Sequence, residues 1–186
     1  MDGSWAQYEI NNRKTIWTES GIVWNNIRNR CNPSNKWQKL VPSYQGCTMS
    51  NNFKNFQFFV EWHMQQIGFG VEGYQIDKDI LFEGNKEYHE DRCVIVPSAL
   101  NAFFIRHNNN GLPHGVSYHK ASGKFRATMT SFGKAYHIGL YLTVEEAELA
   151  YNQQKKKEAL KWVSFIKEFN IYLDKRVLIR LSEFSQ

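Results

Sequence analysis

Between Gly115 and Asn152 the chain carries three short runs, GVSYHK, KFRATMT and AYHIGLYL, separated by the turn signals ASGK and SFGK and followed at once by a helix start. Strand side chains alternate with a period of two, so Lys124, Arg126, Thr128 and Thr130 fall on one side of the middle run and Phe125, Ala127 and Met129 on the other. Three short strands hide an apolar side only if another element covers it. Thr143 followed by Glu146 forms a capping box, and Ala147, Ala150 and Tyr151 continue at helical spacing. The segment is therefore predicted to be a three-stranded antiparallel sheet covered by a helix that begins at about Val144. Lys155 to Lys157 and Lys161 are expected to form a basic helix face, and the apolar residues from Trp162 to Phe184 a helical tail that packs back onto the protein.

The stretch ahead of this segment, RHNNNGLPHG, is the best linker in the chain. It divides the 186 residues into a unit over 1–106, a linker over 107–112 and a unit over 113–186, an α+β protein as a whole. In the first unit, Asn, Ser and Pro punctuate residues 25–52, which reads as loop-rich and pinned by Trp37, Leu40 and Tyr44. FKNFQFFVEWHMQQIG reads as one amphipathic helix with Phe53, Phe56, Val60 and Met64 inward and Gly68 as its stop, CVIVP as a strand, and SALNAFFIR as a short helix. With 42% hydrophobic and 15% aromatic residues the chain has enough apolar surface to fold. A net charge of +5 favours an anionic partner. No run reaches the roughly 20 apolar residues of a membrane span, and the N-terminal MDGSWAQYEINNRK has no apolar core of a signal peptide. Three widely spaced cysteines, Cys31, Cys47 and Cys93, suit a reducing compartment. A soluble, cytoplasmic protein is expected.

If the helix covers the apolar side of the sheet, the other side presents Lys124, Arg126 and Thr128, joined by His119 and His137 from the neighbouring runs. A face of that width suits the major groove of DNA, and a solvated sheet face is the plainer alternative. The string GVSYHKASGKFRATMT with AYHIGLYLTVEEAELAYN resembles the plant ethylene-response-factor (Apetala-two) DNA-binding domain over about forty residues. The matching features are Gly115-Val116, Gly123-Lys124 before Phe125, Ala127, Ile138-Gly139, and Thr143-x-Glu145-Glu146-Ala147 running into Ala150-Tyr151-Asn152. The resemblance implies double-stranded DNA as partner, with His114, Ser117, His119, Thr128, Thr130 and His137 at the base-reading positions. None of these is Arg or Trp, so the plant target sequence is not expected. Lys120, Lys124, Arg126 and Lys134 flank them as phosphate contacts.

In the first unit, GNKEYHEDRCVIVP is similar to the bacteriophage HNH homing-endonuclease family, a small nuclease of ββα-metal type tethered to a DNA-binding tail. The resemblance places Asn85 at the Asn of the Gly-Asn-Lys motif, Cys93 at a metal-ligand position and Val94 at the apolar position after it. Where such enzymes carry an Asp-His pair, this chain has Asp77-Lys78-Asp79. An ordinary lysine, with a pKa of about 10.4, is a poor base, whereas Asp77 and Asp79 are suitable oxygen ligands for Mg²⁺ or Mn²⁺ and His89 is a candidate displaced base. Two outcomes stay open: a metal-dependent endonuclease or nickase of the HNH homing type, or a catalytically inactive DNA-binding protein that regulates or inhibits a host factor. Plainer readings stand beside them, with the carboxylates and Asn85 in a solvated turn and His63 a packed side chain. Cys31, Cys47 and Cys93, with His63 or His89, are either structural zinc ligands or buried thiols. Trp24, Trp37, Phe58, Phe59 and Trp62 are candidates for an exposed aromatic patch that binds a protein.

Overall fold

A computed structural model describes residues 6–8, 15–105 and 111–184. The chain is mixed α+β and divides into two compact units, residues 1–95 and 96–186. The boundary falls earlier than the sequence suggests, because the SALNAFF helix belongs to the second unit. The expected linker falls largely on residues outside the description.

The first unit opens with an antiparallel pair, β1 (Ala6–Tyr8) and β2 (Thr15–Trp17). Thr18 caps helix α1 (Glu19–Cys31), its hydroxyl accepting from the Gly21 amide at 3.2 Å. Most of the first half of the expected loop-rich segment is thus helical. After α2 (Lys36–Leu40) and a 3-10 turn at Pro42–Tyr44 comes β3 (Thr48–Met49). Leu40 is exposed, so it pins nothing, and the Trp37 side chain lies outside the description.

The anticipated single helix from Phe53 to its stop at Gly68 is two, α3 (Asn51–Lys54) and α4 (Phe56–Gln65). Asn55 breaks it by turning extended and accepting from the Phe58 amide at 3.3 Å. The break rotates the buried stripe: Phe59 and His63 are inside, while Met64 is exposed. Trp24, Ile27, Phe53, Phe59, Tyr88 and Cys93 form the core of this unit, with Trp62 partly buried against it. The indole N–H groups of Trp24 and Trp62 donate to the carbonyls of Phe53 (2.8 Å) and Glu90 (3.1 Å). The aromatic patch envisaged from the sequence is therefore mainly core, with Phe58 at its edge. Two further strand pairs complete the unit: β3 runs parallel to β5 (Glu87–Tyr88), and β4 (Tyr74–Asp77) pairs with β6 (Val94–Pro97).

The second unit contains α5 (Ser98–Phe104), the antiparallel sheet β7 (Val116–His119), β8 (Lys124–Ser131) and β9 (Lys134–Tyr141), then α6 (Val144–Glu168) and α7 (Lys175–Glu183). Both halves of the Thr143/Glu146 capping box are made. Val116, Ala127, Met129 and Ser131 are buried on the side of the sheet that α6 covers with Ala147, Tyr151, Ala159 and Trp162. Gly115 has φ +70°, and a Cβ there would stand 2.1 Å from the Tyr151 ring and 2.6 Å from the Thr128 carbonyl, so only glycine fits where the strand enters. Lys155 departs from expectation. It is buried, its ammonium donating to the Phe103 carbonyl at the end of α5 and lying 3.7 Å from the centre of the Phe103 ring.

Among the described residues no helix is long and apolar enough to cross a membrane.

Candidate functional site

The face of β7–β9 turned away from α6 is assembled by strand register. Ser117 pairs with Arg126 and His119 with Lys124 across β7 and β8, and Thr128 pairs with His137 across β8 and β9. Directly opposed residues share a face, so these six side chains stand together, with Thr130 two residues further along β8. Arg126, Thr130 and His137 are exposed and Ser117, His119, Lys124 and Thr128 half-buried. The Arg126 Nε–H donates to Ser117 Oγ at 3.3 Å, and His119 Nδ1 lies 2.8 Å from Ser122 Oγ in the following turn.

A bulge in β9 places one extra residue, Ile138, opposite the step from Ala127 to Thr128. Because of it, His137 and Leu140 share the open face although three residues apart, and Leu140, opposite Arg126, adds an exposed apolar contact that the alternation did not reveal. Gly139 inside a strand was its one signal in the sequence.

Three expected contacts sit elsewhere. Lys134 pairs with Ser131, on the parity of the covered side, beside a two-residue hairpin turn in which Phe132 (φ 49°) and Gly133 (φ 71°) are both left-handed. Lys120 is exposed in the turn between β7 and β8, and His114 is half-buried ahead of β7. Neither belongs to the ladder. From Gly111 to Val144 the chain has no Asp or Glu. The first carboxylates after it belong to Glu145 and Glu146, and Glu146 is occupied by the Leu142 and Thr143 amides.

The Asp77–Asn85 loop in the first unit is built differently. Asp77 Oδ1 accepts from the amides of Asp79 (2.6 Å) and Ile80 (2.8 Å), closing a turn on itself. Burial raises the Asp77 carboxyl above its ordinary range, against the lowering pull of those two amides. Lys78 is 4% exposed, and its ammonium donates to both Asp79 oxygens (2.7 and 2.6 Å) and to the Asn85 carbonyl (2.8 Å). Asn85 Nδ2 donates back to the carbonyls of Lys78 (2.8 Å) and Glu87 (2.7 Å), and its Oδ1 accepts from the Glu87 amide at 3.1 Å.

His89 lies apart from this loop, in an open polar cleft of about 490 Å³ that Ser50, Asn52, Lys54 and Glu90 also line and that neither Asp77 nor Asp79 reaches. Its Nδ1 accepts from the Asp91 amide at 3.1 Å and lies 3.5 Å from Glu90 Oε2. Burial would raise the Glu90 carboxyl, yet its own amide, the Ser50 hydroxyl at 2.8 Å, the Asn52 amide and His89 together hold it below the ordinary value.

Cys93 is wholly buried in the core, and burial drives its thiol well above the ordinary range. Cys31 is pushed up to about 12, first by burial and then by Cys47, and all three thiols are free. His63 packs between Phe59 and Phe69 with Ser20 Oγ at 2.9 Å from Nδ1, and burial lowers its pKa to about 4. Asp77, Asp79 and Cys93 do not come together as a ligand set, and among the described residues no three His, Cys, Asp or Glu side chains do. Around Asp77 and Asp79, two backbone amides hold Asp77 Oδ1 and the Lys78 ammonium holds both Asp79 oxygens.

Set against protein-family models, curated proteins and solved structures, the chain matches none of them.

Proposed function

We propose that the protein binds double-stranded DNA through the open face of β7–β9 and that its first unit is a nuclease-like scaffold of HNH type that no longer cuts. The observation that supports binding is a sheet face whose only charged side chains are cations, set in a stretch of chain without a carboxylate. The DNA major groove admits a two-stranded ribbon, and phosphates reward each cation placed against them. Lys120, Lys124 and Arg126 then hold the phosphate backbone with His119 and His137 beside them, while Ser117, Thr128 and Thr130 lie toward base edges and Leu140 offers an apolar contact for a thymine methyl. The resemblance of residues 115–152 to the ethylene-response-factor domain favours the same reading.

The internal bonding of Lys78, Asp79 and Asn85 favours a regulator or inhibitor over an endonuclease. A second reading, cleavage, draws on the cleft that His89 and Glu90 share with Lys54. The deciding experiment titrates binding to a duplex against salt and incubates supercoiled plasmid with the protein in Mg²⁺ or Mn²⁺. Salt-sensitive binding with intact plasmid is expected. Nicking that a His89→Ala, Glu90→Ala variant loses would establish the endonuclease, and no binding at low salt would refute the DNA reading altogether.

A further inference from the structure

We propose that His119 and His137 bind DNA as imidazolium ions, so that proton uptake strengthens the grip of the β7–β9 face; this rests on the DNA reading above. His119 stands opposite Lys124 in β7, and His137 stands opposite Thr128 in β9, two residues along β8 from Arg126. Both imidazoles therefore share the face that phosphates would approach. The other groups on that face are Ser117 from β7, Lys124, Arg126, Thr128 and Thr130 from β8, and Ala135 and Leu140 from β9, with Lys120 in the adjoining turn.

None of these is a carboxylate. A phosphate set against an imidazole favours its protonated form, which couples binding to proton uptake. The Ser122 hydroxyl beside His119 Nδ1 is compatible with both states, since it can donate to the bare nitrogen or accept from its proton. Histidine thereby does more than an uncharged base reader would: it adds two cations to the two that Lys124 and Arg126 always carry.

The consequence is a salt slope that depends on pH. Each phosphate neutralised on duplex DNA contributes about −0.9 to the slope of log K against log salt, so two further contacts steepen it by about 1.8. The test measures binding of the full chain to one duplex between 50 and 300 mM salt at pH 8.0 and pH 5.5, with fluorescence anisotropy. Wild type is expected to bind at least tenfold more tightly at pH 5.5 in low salt, with the slope steeper by between one and two. A His119→Gln, His137→Gln variant should bind with one affinity and one slope at both pH values, while His119→Arg, His137→Arg should bind tightly with the steep slope at both. If wild type binds with one slope at both pH values, or the glutamine variant keeps the wild-type gain, the proposal is wrong while DNA binding stands. If wild type binds at neither pH, the DNA reading fails and carries the proposal with it.

Discussion

The Asp77–Asn85 loop and the open face of β7–β9 hold similar numbers of polar side chains and use them in opposite ways. In the loop nearly every polar atom has an internal partner: Asp77 on two amides, Lys78 on Asp79 and Asn85, Asn85 on Lys78 and Glu87. On the sheet Arg126 has the Ser117 hydroxyl as its neighbour, and no carboxylate stands among the facing residues. The charges follow the same division. Residues 1–95 carry 10 Lys and Arg against 11 Asp and Glu, whereas residues 96–186 carry 13 against 7, so the basic excess lies in the second unit. A polar group satisfied within the chain contributes to the fold; one left to solvent is available to a partner.

The largest expected effect concerns the first unit alone. His63 titrates near 6.5 when unfolded and about 4 when folded, so as pH falls between those values the unfolded chain binds a proton that the native one refuses. Stability is complete above about pH 6.5 and declines toward pH 4, by about 3 kcal/mol, in urea unfolding monitored by tryptophan fluorescence. His63→Phe should flatten that dependence.

Lys78→Met comes next, because it keeps the buried stem and removes the ammonium from Asp79 and Asn85. A loss of about 2 kcal/mol is expected, with DNA binding unchanged. The reverse pattern is expected of Lys124→Ala, Arg126→Ala, which should leave the melting temperature within a degree or two while weakening DNA binding at least tenfold and flattening the salt slope by about 1.8. If Lys78→Met abolishes binding, or the sheet variant unfolds the protein, the contrast between the two regions collapses. Smallest is Thr143→Ala, which removes the hydroxyl half of the capping box and should cost about 1 kcal/mol in thermal unfolding of the second unit.

What the sequence made legible follows from range. The strands β7 to β9 and the start of α6 rest on local rules, alternation on a one-sided sheet and a side chain reaching its own backbone three residues on, and both appear where expected. Helix α1 was hidden because two of its four buried positions, Ser20 and Gly21, are not apolar and blur the periodic stripe that Trp24 and Ile27 would otherwise announce. Asn55 looked like one more helical residue until its own side chain capped the next segment. The burial of Lys155 depends on a carbonyl 52 residues away, beyond any pattern of spacing. At the candidate sites, the face shared by His119, Lys124, Arg126 and His137 could be read from period two, whereas the turning of Lys78 back onto Asp79 and Asn85 could not, since nothing in Asp-Lys-Asp tells a paired ammonium from a solvated one.

The Lys155 contact also decides where the protein can be divided. A fragment that begins at Pro113 would keep all three strands and both long helices yet discard α5, leaving an ammonium without its carbonyl and a hollow where the Phe103 ring had lain. Beginning at Val96 retains both. Anyone dissecting the second unit should therefore cut ahead of the Asn-rich stretch rather than within it, and a shorter piece that aggregates or melts early would speak of a missing helix, not of a sheet unable to fold.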